Sequence, residues 1–393
     1  MITQFQVANY KALRDVTLDL TPIHVLIGPN SSGKSTILEA FAILSYSVKA
    51  PIANFWPSGT DLKKLRRDSA QPITLGCRLV KNGFCGKYSF KIELDEASNH
   101  GHPFTISEES FNSQDGNHWR STRNERNQTL LYAAVTTNNS QIIPKELSVS
   151  INSALGNVTI QRWNPCFLRM PVILSGENRF KLDRFGFGLA QCLDDLLGTD
   201  RSQFDKLEKE FLDMFPEFSG IQLVSETAYQ WPASSSGNPL PNAITGISGK
   251  GIHFKLANGK TIPAADVSDG TLIVLGYLTL LHLPNPPRVM LVEEPENGIH
   301  PQRIKEIIKL LRKLIQNHPE TQILMTTHSP YLLDEFSPEE VTICSKTDDC
   351  AVSVTLLSKV PSVKKQLDVF SLGEIWTAEG DDQLAKSPVE GTK

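Results

Sequence analysis

The fold is decided by residues 24–44, which read HVLIGPNSSGKSTILEAFAIL. Residues 24–27, in which His24 is followed by three apolar residues, predict a buried strand, and the apolar pattern from Ile37 to Leu44 predicts a helix. Between them, residues 28–36 match G-x-x-x-x-G-K-[ST], a loop that wraps backbone N–H groups around a phosphate. The helix that follows offers unpaired N–H groups and a positive dipole end to the same phosphate. The sequence therefore predicts a binding site for a nucleoside triphosphate.

The motif assigns a task to particular side chains of this loop. Lys34 is expected to reach the β- and γ-phosphate oxygens, and the Ser35 hydroxyl is expected to hold Mg²⁺. A Gly/Ser-rich turn can match such a pattern by chance, but the strand before it and the helix after it favour the phosphate site. The predicted nucleotide-binding residues are Gly28, Pro29, Asn30, Ser31, Ser32, Gly33, Lys34, Ser35 and Thr36.

Length and composition set the class of protein. A chain of 393 residues is long enough for two lobes. The formal charge of −4 argues against a surface that coats nucleic acid non-specifically. The 6 cysteines show no C-x-x-C spacing, as expected of reduced thiols. Neither an apolar run of about 18 residues nor a signal-peptide pattern occurs, so we expect a soluble, cytoplasmic protein without membrane contact.

A pair of carboxylates ends an apolar run far downstream. Residues 288–295 read RVMLVEEP, which is typical of a buried parallel strand whose carboxyl end lies at the ligand edge. Glu293 is expected to meet Mg²⁺, directly or through a water molecule. Glu294 points the other way along the strand and is expected to orient or deprotonate the attacking water. A strand that ends in solvated charge is the alternative, and the preceding phosphate loop disfavours it.

A histidine follows the next apolar strand, in residues 322–330, which read QILMTTHSP. An amphipathic helix separates this strand from the acid pair, so the two strands form one β-α-β unit. A lone histidine is more often structural than functional, but His328 is expected at the same sheet edge as Glu293 and Glu294. The apolar face of the helix is formed by Ile304, Ile307, Ile308, Leu311, Leu314 and Ile315.

A second phosphate-sized nest is predicted at residues 267–271, which read VSDGT and precede an apolar helix from Leu272 to Leu281. Small residues at a helix N-terminus present backbone donors to an anion. One chain does not need two such nests for one triphosphate. The second nest therefore discriminates among the families of phosphate-loop proteins.

Four motifs, in the order GPNSSGKST, VSDGT, VMLVEEPENGIHP and MTTHSP, make the chain resemble ATP-binding-cassette and SMC ATPases. Within that group it resembles the RecF-like and OLD-like branch of AAA-family ATPases. The motifs bracket nearly all of residues 1–345, and the segments 5–13 and 16–20 look like the N-terminal strands of that branch. The resemblance implies an α/β P-loop NTPase fold with a mixed central sheet, an antiparallel β lobe and a helical signature lobe.

The resemblance also implies roles for residues of this sequence. Glu293 would be the Walker B acid that binds the metal with Ser35, Glu294 the catalytic base and His328 the γ-phosphate switch. Two positions depart from the common pattern: Glu293 stands where cassette ATPases usually have Asp, and Asp269 where many have Gly. The signature acting in trans would be Ser268, Asp269 and Gly270, and the D-loop would be Glu296, Asn297 and Gly298. The Q-loop glutamine stays open between Gln71 and Gln191.

The expected domain organisation follows the motifs. The N-terminal part of the nucleotide-binding domain covers 1–95 and includes a hairpin over 73–94 that turns at 81–83. An inserted region with strands and the helical lobe covers 96–260, the C-terminal part of the nucleotide-binding domain covers 261–378, and a polar tail covers 379–393. Within the inserted region we expect a strand at 147–151, a helical stretch over 189–215 and a loop over 226–248.

The function that the resemblance implies is an ATP- and Mg²⁺-dependent ATPase that forms a head-to-tail homodimer or a higher homo-oligomer. Related stand-alone ATPases, PARIS-like and Septu-like, serve as scaffold or sensor for a separate effector, often a TOPRIM or HNH nuclease, in bacterial anti-phage defence. The 65 residues after His328 are expected to be too few for a TOPRIM domain. A RecF-like clamp that contacts DNA in repair, and an ATPase subunit of another regulator, are the alternatives.

Overall fold

The computed structural model describes residues 1–56, 60–81, 84–94, 104–113, 118–122, 128–137, 143, 145–231 and 242–386. The chain divides into two compact units. Unit 1 is formed by Met1–Ile160, Pro287–Glu293 and Pro319–Lys393, and unit 2 by Gln161–Pro286 and Glu294–His318. The boundaries expected from the sequence, after residues 95, 260 and 378, stay a prediction.

The described residues form the following strands and helices. The strands are β1 (Ile2–Tyr10), β2 (Leu13–Asp19), β3 (Ile23–Ile27), β4 (Ile73–Lys81), β5 (Phe84–Leu94), β6 (Phe104–Ser113), β7 (His118–Ser121), β8 (Val158–Gln161), β9 (Phe218–Gln230), β10 (Asn242–Leu256), β11 (Thr261–Pro263), β12 (Val289–Glu293), β13 (Gln322–Thr326), β14 (Val341–Lys346) and β15 (Val352–Leu356). The helices are α1 (Lys34–Tyr46), α2 (Leu130–Thr137), α3 (Lys145–Leu155), α4 (Pro165–Leu168), α5 (Leu189–Thr199), α6 (Arg201–Met214), α7 (Asp269–His282), α8 (Pro301–Asn317), α9 (Pro330–Leu333), α10 (Pro361–Gln366) and α11 (Leu372–Lys386).

Unit 1 is built on two sheets. A six-stranded antiparallel sheet has the order β2-β1-β4-β5-β6-β7, and a six-stranded mixed sheet has the order β15-β14-β3-β13-β12-β8. In the mixed sheet β14, β3, β13 and β12 run parallel, whereas β15 is antiparallel to β14. Because β3, β12 and β13 are apolar and buried over most of their length, both faces of this sheet are covered.

The core of unit 1 joins the antiparallel sheet to α1. The rings of Phe5 on β1 and Phe41 on α1 lie 4.9 Å apart, and both side chains are fully buried. The expected hairpin over 73–94 is formed by β4 and β5. Its turn, at residues 82 and 83, lies outside the described residues.

Unit 2 packs helices against a smaller sheet of order β11-β10-β9. Its core includes a cluster of aromatic rings from α6, β9, β10 and the α6–β9 loop, with Phe211 5.5 Å from Phe254. The stretch expected to be helical over 189–215 forms α5 and α6. They are separated at Asp200, whose carboxylate accepts a hydrogen bond from the Gln203 N–H and so caps α6.

Two expectations for the middle of the chain need correction. The strand expected at 147–151 is wrong, because this segment lies in α3, where Ile151 and Leu155 are buried four residues apart and Val149 is 57% exposed. The loop expected over 226–248 is wrong at both ends, since β9 continues to Gln230 and β10 begins at Asn242; residues 232–241 lie outside the described part. Residues 379–386, at the start of the expected polar tail, lie in α11, in which Leu384 is buried, and the tail itself stays a prediction.

In the part of the chain that the structure describes, no helix combines the length and the apolar character needed to cross a bilayer.

Candidate nucleotide site

The loop between β3 and α1 is shaped by backbone angles that favour glycine. Gly28 has a φ of 133° and Gly33 a φ of 97°. A Cβ atom on Gly28 would lie 2.1 Å from the backbone oxygen of Cys344, and one on Gly33 would lie 2.4 Å from Cγ2 of Val352. The loop therefore lies directly against β14 and β15, at a distance that any side chain at these two positions would prevent.

The side chains of the loop provide donors around its centre. Lys34 is buried, and its ammonium group donates hydrogen bonds to the backbone oxygens of Gly28 (2.7 Å) and Pro29 (2.9 Å). The Ser32 hydroxyl is buried without a hydrogen-bond partner among the described residues. A loop with an ammonium group, an unsatisfied hydroxyl and the N-terminus of a 13-residue helix has the donors that a polyphosphate requires.

Strand register brings Glu293 and the segment before His328 to the same edge of unit 1. Leu26 pairs with Thr326, and Thr326 pairs with Glu293, so β3, β13 and β12 end side by side. The Thr327 N–H donates to the backbone oxygen of Leu26, which extends the pairing past the end of β13. The phosphate loop, Glu293 and the segment that leads to His328 therefore leave the sheet at one edge, as the sequence predicted.

At this edge the charged side chains keep access to solvent. Glu293 is half-buried and His328 is exposed, while Thr327, which directly precedes His328, is fully buried. The Ser329 side chain accepts a hydrogen bond from the Leu332 N–H and starts α9. His328 thus stands between the end of a strand and a capped helix, in a short segment with fixed ends.

Ser35 and Glu293 are the side chains of unit 1 that could hold Mg²⁺, since one lies in the first turn of α1 and the other at the end of β12. Among the described residues, no group of three His, Cys, Asp or Glu side chains is arranged to hold a metal. A site with one carboxylate and one hydroxyl fits Mg²⁺, which takes its other ligands from phosphate oxygens and water. When bound there, the ion neutralises charge on the phosphates.

In unit 2 the turn predicted as the signature and the segment predicted as the D-loop lie side by side. Ser268 caps α7, since its hydroxyl accepts a hydrogen bond from the Thr271 N–H at 3.2 Å. A Cβ atom on Gly270 would lie 3.6 Å from the backbone oxygen of Gly298. Ser268 and Asp269 are exposed, so this helix end is open to solvent.

Glu294 begins a closed turn that leads into the D-loop. Its φ of 50° lies in the left-handed region, which is uncommon for a residue with a side chain. The Asn297 amide donates to the Glu294 carboxylate at 2.6 Å, and the Asn297 N–H donates to the Glu294 backbone oxygen at 3.0 Å. Asn297, predicted to belong to the D-loop, therefore fixes the orientation of the predicted base, while Glu296 is half-buried within the turn.

One charged contact at the signature was missed by the sequence reasoning. The guanidinium of Arg169, the residue directly after α4, donates to the Asp269 carboxylate at 2.5 Å. The two residues lie 100 positions apart, and Arg169 belongs to none of the motifs. A basic residue within reach was implied only by the unusual acid at position 269, and nothing in the sequence indicated which one.

The two candidates for the Q-loop differ in their surroundings. The Gln191 amide is buried in unit 2, where it donates to the backbone oxygen of Ser175 at 2.7 Å and accepts from the indole N–H of Trp231 at 3.1 Å. Gln71 is exposed in unit 1, and its backbone oxygen accepts from the Asn9 amide. Gln191 therefore has a structural task, whereas the side chain of Gln71 is open to solvent.

The family model described as "AAA domain, putative AbiEii toxin, Type IV TA system" matches residues 23–334, which include all four motifs. The chain belongs to this AAA-domain family. A curated relative described as an OLD nuclease, from Thermus scotoductus, is 24% identical over 380 residues. That match covers 90% of the AAA-domain chain and 64% of the relative, so the chain spans less than two thirds of the relative's length.

Among solved structures, the AAA-domain chain is similar to an SmcHead bound to the C-winged helix domain of ScpA. The TM-score is 0.50 at 13% identity, over 90% of this chain and 97% of that one. At this identity the likeness concerns the fold. It confirms the expected α/β architecture, with a mixed sheet, an antiparallel sheet and packed helices. By sequence the chain carries an AAA-type ATPase domain and is similar to an OLD nuclease.

Proposed function

We propose that this chain hydrolyses ATP at sites shared between two copies that face each other head to tail. Lys34, Ser35 and Glu293 of one copy hold Mg-ATP, and Ser268 and Gly270 of the other copy cover its γ-phosphate. The observation that supports the proposal is that one chain has two helix N-termini preceded by small residues, each of which could receive a phosphate. One follows the loop at Gly28–Lys34, and the other is the exposed N-terminus of α7.

In this site Glu294 orients and deprotonates the water that attacks the γ-phosphate, and His328 contacts the γ-phosphate oxygens. The hydrogen bond from Asn297 supports this role for Glu294, because it holds the carboxylate in one orientation. Triphosphate closes the dimer because its γ-oxygens are bound from both copies, and hydrolysis removes that connection. A full switch of this kind requires that the free energy of dimer closure differ by about 5 kcal/mol between the two nucleotide states.

Mixing two inactive variants tests the shared site. In a head-to-tail dimer of one Glu294→Gln chain and one Ser268→Arg chain, one site carries both changes and the other carries none. Random mixing makes half of the dimers mixed, so ATPase activity should recover to about one quarter of wild type. The measurement is phosphate release by each variant alone and by the equimolar mixture.

The matched control mixes Glu294→Gln with Lys34→Ala. Both changes lie on the side of the site that holds the nucleotide, so every site of the mixed dimer keeps one lesion and no activity should return. If the first mixture stays as inactive as this control, each site depends on one chain alone and the shared site is refuted.

We propose further that the ATPase acts as a scaffold, sensor or regulator of a separately encoded effector nuclease, of TOPRIM or HNH type, in bacterial anti-phage defence. The similarity to an OLD nuclease supports a link between this AAA domain and nuclease activity. The formal charge of −4 gives the chain little general attraction for DNA.

Affinity purification of the Glu294→Gln chain from its native host, followed by mass spectrometry, tests the role. A stable complex with a nuclease, together with weak DNA binding by the purified ATPase, is the expected result. Tight DNA binding with a steep dependence on salt, and no bound nuclease, would instead identify a clamp of the DNA-repair type.

A further inference from the structure

The contact between Arg169 and Asp269 lies at the end of α7 that carries the signature. Asp269 is the first residue of this helix and directly follows its cap, Ser268. Its carboxylate is 56% exposed, and the guanidinium of Arg169 approaches it to 2.5 Å. The pair thus joins the end of α4 to the start of α7 within unit 2.

A carboxylate at this position has two opposite electrostatic effects. It stabilises α7, because a negative charge is favourable at a helix N-terminus. It also repels any other anion that approaches the same backbone amides, and the N–H groups of Asp269 and Gly270 come before the first intrahelical donor. A γ-phosphate would therefore compete with Asp269 for the same positive end of the helix.

We propose that Arg169 is a positioning residue of the signature, which neutralises and holds Asp269 so that the N-terminus of α7 can receive the γ-phosphate of ATP bound to a second copy. This inference rests on the proposed function, since it concerns the half of the shared site that unit 2 supplies. Arg169 touches Asp269 and not the reacting atoms.

The contact works through charge, as its geometry indicates. The Nη2 atom of Arg169 donates to Asp269, whereas its Nε atom is buried without a hydrogen-bond partner in the described part of the chain. The fork of two donors that distinguishes arginine from lysine is therefore not used on this carboxylate. A lysine at position 169 keeps the positive charge and should therefore neutralise Asp269 as well as arginine does.

The test measures ATP-dependent dimer formation in the Glu294→Gln background, by light scattering across a series of ATP concentrations. Arg169→Ala should raise the ATP concentration for half-maximal dimer by at least about tenfold, because Asp269 then faces the phosphate without a counter-charge. In the double variant Arg169→Ala/Asp269→Asn, the ATP concentration for half-maximal dimer should lie within about threefold of the parent value. The single variant Arg169→Lys should also stay within about threefold of the parent. Binding of ATP to the monomer should be the same in all variants, because the phosphate loop lies in unit 1.

Arg179→Ala is the matched control, since Arg179 forms a similar ion pair with Asp195 in the same unit at 3.3 Å. It should leave dimer formation unchanged. The inference is overturned if Arg169→Ala behaves like this control, or if Asp269→Asn fails to restore an Arg169→Ala chain whose thermal unfolding is normal. If the Glu294→Gln parent itself forms no dimer with ATP, the proposed function is wrong and the inference falls with it.

Discussion

Gly28 and Gly33 lie where a Cβ atom would collide with β14 and β15, and the nature of the neighbouring atom differs between the two. The neighbour of Gly28 is a backbone oxygen, that of Cys344, which no side-chain rotation can move. The neighbour of Gly33 is a methyl group of Val352, which can shift to some degree. Gly28 is thus the less replaceable of the two.

Gly28→Ala should destabilise the protein by at least about 3 kcal/mol, because it combines a φ of 133° with a backbone collision at 2.1 Å. The free energy of unfolding, measured with denaturant, checks this value. Gly198→Ala is the control: Gly198 lies in α5 with no neighbouring atom within 4 Å, so the change should stay within about 1 kcal/mol of wild type. Equal effects of the two changes would contradict the collision.

His24 makes the stability of unit 1 depend on pH. Burial lowers the pKa of His24 to about 4, below its ordinary value of 6.5, and its ring nitrogens contact the hydroxyls of Thr21 and Thr342. Between these two values the unfolded chain binds a proton that the folded chain does not, so stability is lost as the pH falls from 6.5 towards 4. Above pH 6.5 both states are neutral and the effect vanishes.

The predicted loss from His24 is about 2 kcal/mol between pH 7.5 and pH 5. In His24→Gln this part of the pH dependence should disappear, as followed by denaturant unfolding at the two pH values. His118→Gln, a change on the exposed strand β7, is the control and should keep the wild-type slope. An unchanged slope in His24→Gln would assign the pH dependence to other groups.

At the scale of elements, the sequence predicted the secondary structure correctly where the residue pattern fitted only a strand or only a helix. The strands β3, β12 and β13 were recognisable because each apolar run ends in a chemical motif. The α3 segment was misread because Leu147, Val149 and Ile151 alternate as in a strand, while Ile151 and Leu155 also have helical spacing. Over so short a stretch periodicity does not choose between the two, and burial within the fold decides.

The start of α7 has two tasks that substitution can separate. Ser268→Ala removes the cap and should cost about 1 kcal/mol of stability as well as ATPase activity. Ser268→Asp keeps a capping oxygen but adds a second carboxylate next to Asp269, so stability should stay within about 0.5 kcal/mol while ATPase activity falls at least tenfold. Thermal unfolding and phosphate release measure the two effects. If the Ser268→Asp chain keeps its ATPase activity, the proposal that the γ-phosphate binds at the N-terminus of α7 is refuted.

At the scale of the whole molecule, the sequence predicted which motifs meet at the edge of unit 1, because strand order follows from β-α-β connections. It could not predict the contact of Arg169 with Asp269. That contact depends on how α4 packs against α7, and two residues that lie 100 positions apart share no periodic signal for it. Contacts between distant side chains on irregular segments are fixed only by the complete fold.

Binding of Mg-ATP should stabilise the whole chain through Lys34. At an ATP concentration of about 100 times Kd, mass action adds about 2.7 kcal/mol to the free energy of unfolding. In Lys34→Ala this gain should be absent, whereas Lys305→Ala, on the exposed face of α8, should keep it. Thermal unfolding with and without Mg-ATP measures the shift, and an equal shift in both variants would refute the assignment of Lys34 to the phosphates.

The hairpin of β14 and β15 lies beyond residue 334, where the match to the AAA-domain family ends, yet it forms the floor beneath Gly28 and Gly33. A recombinant fragment that ends at residue 334 would contain all four motifs but would lack β14 and β15, against which the phosphate loop packs. Expression trials, domain transplants and truncation series on this ATPase should therefore keep the chain through residue 356 at least, since recognition by motif alone sets the boundary too early.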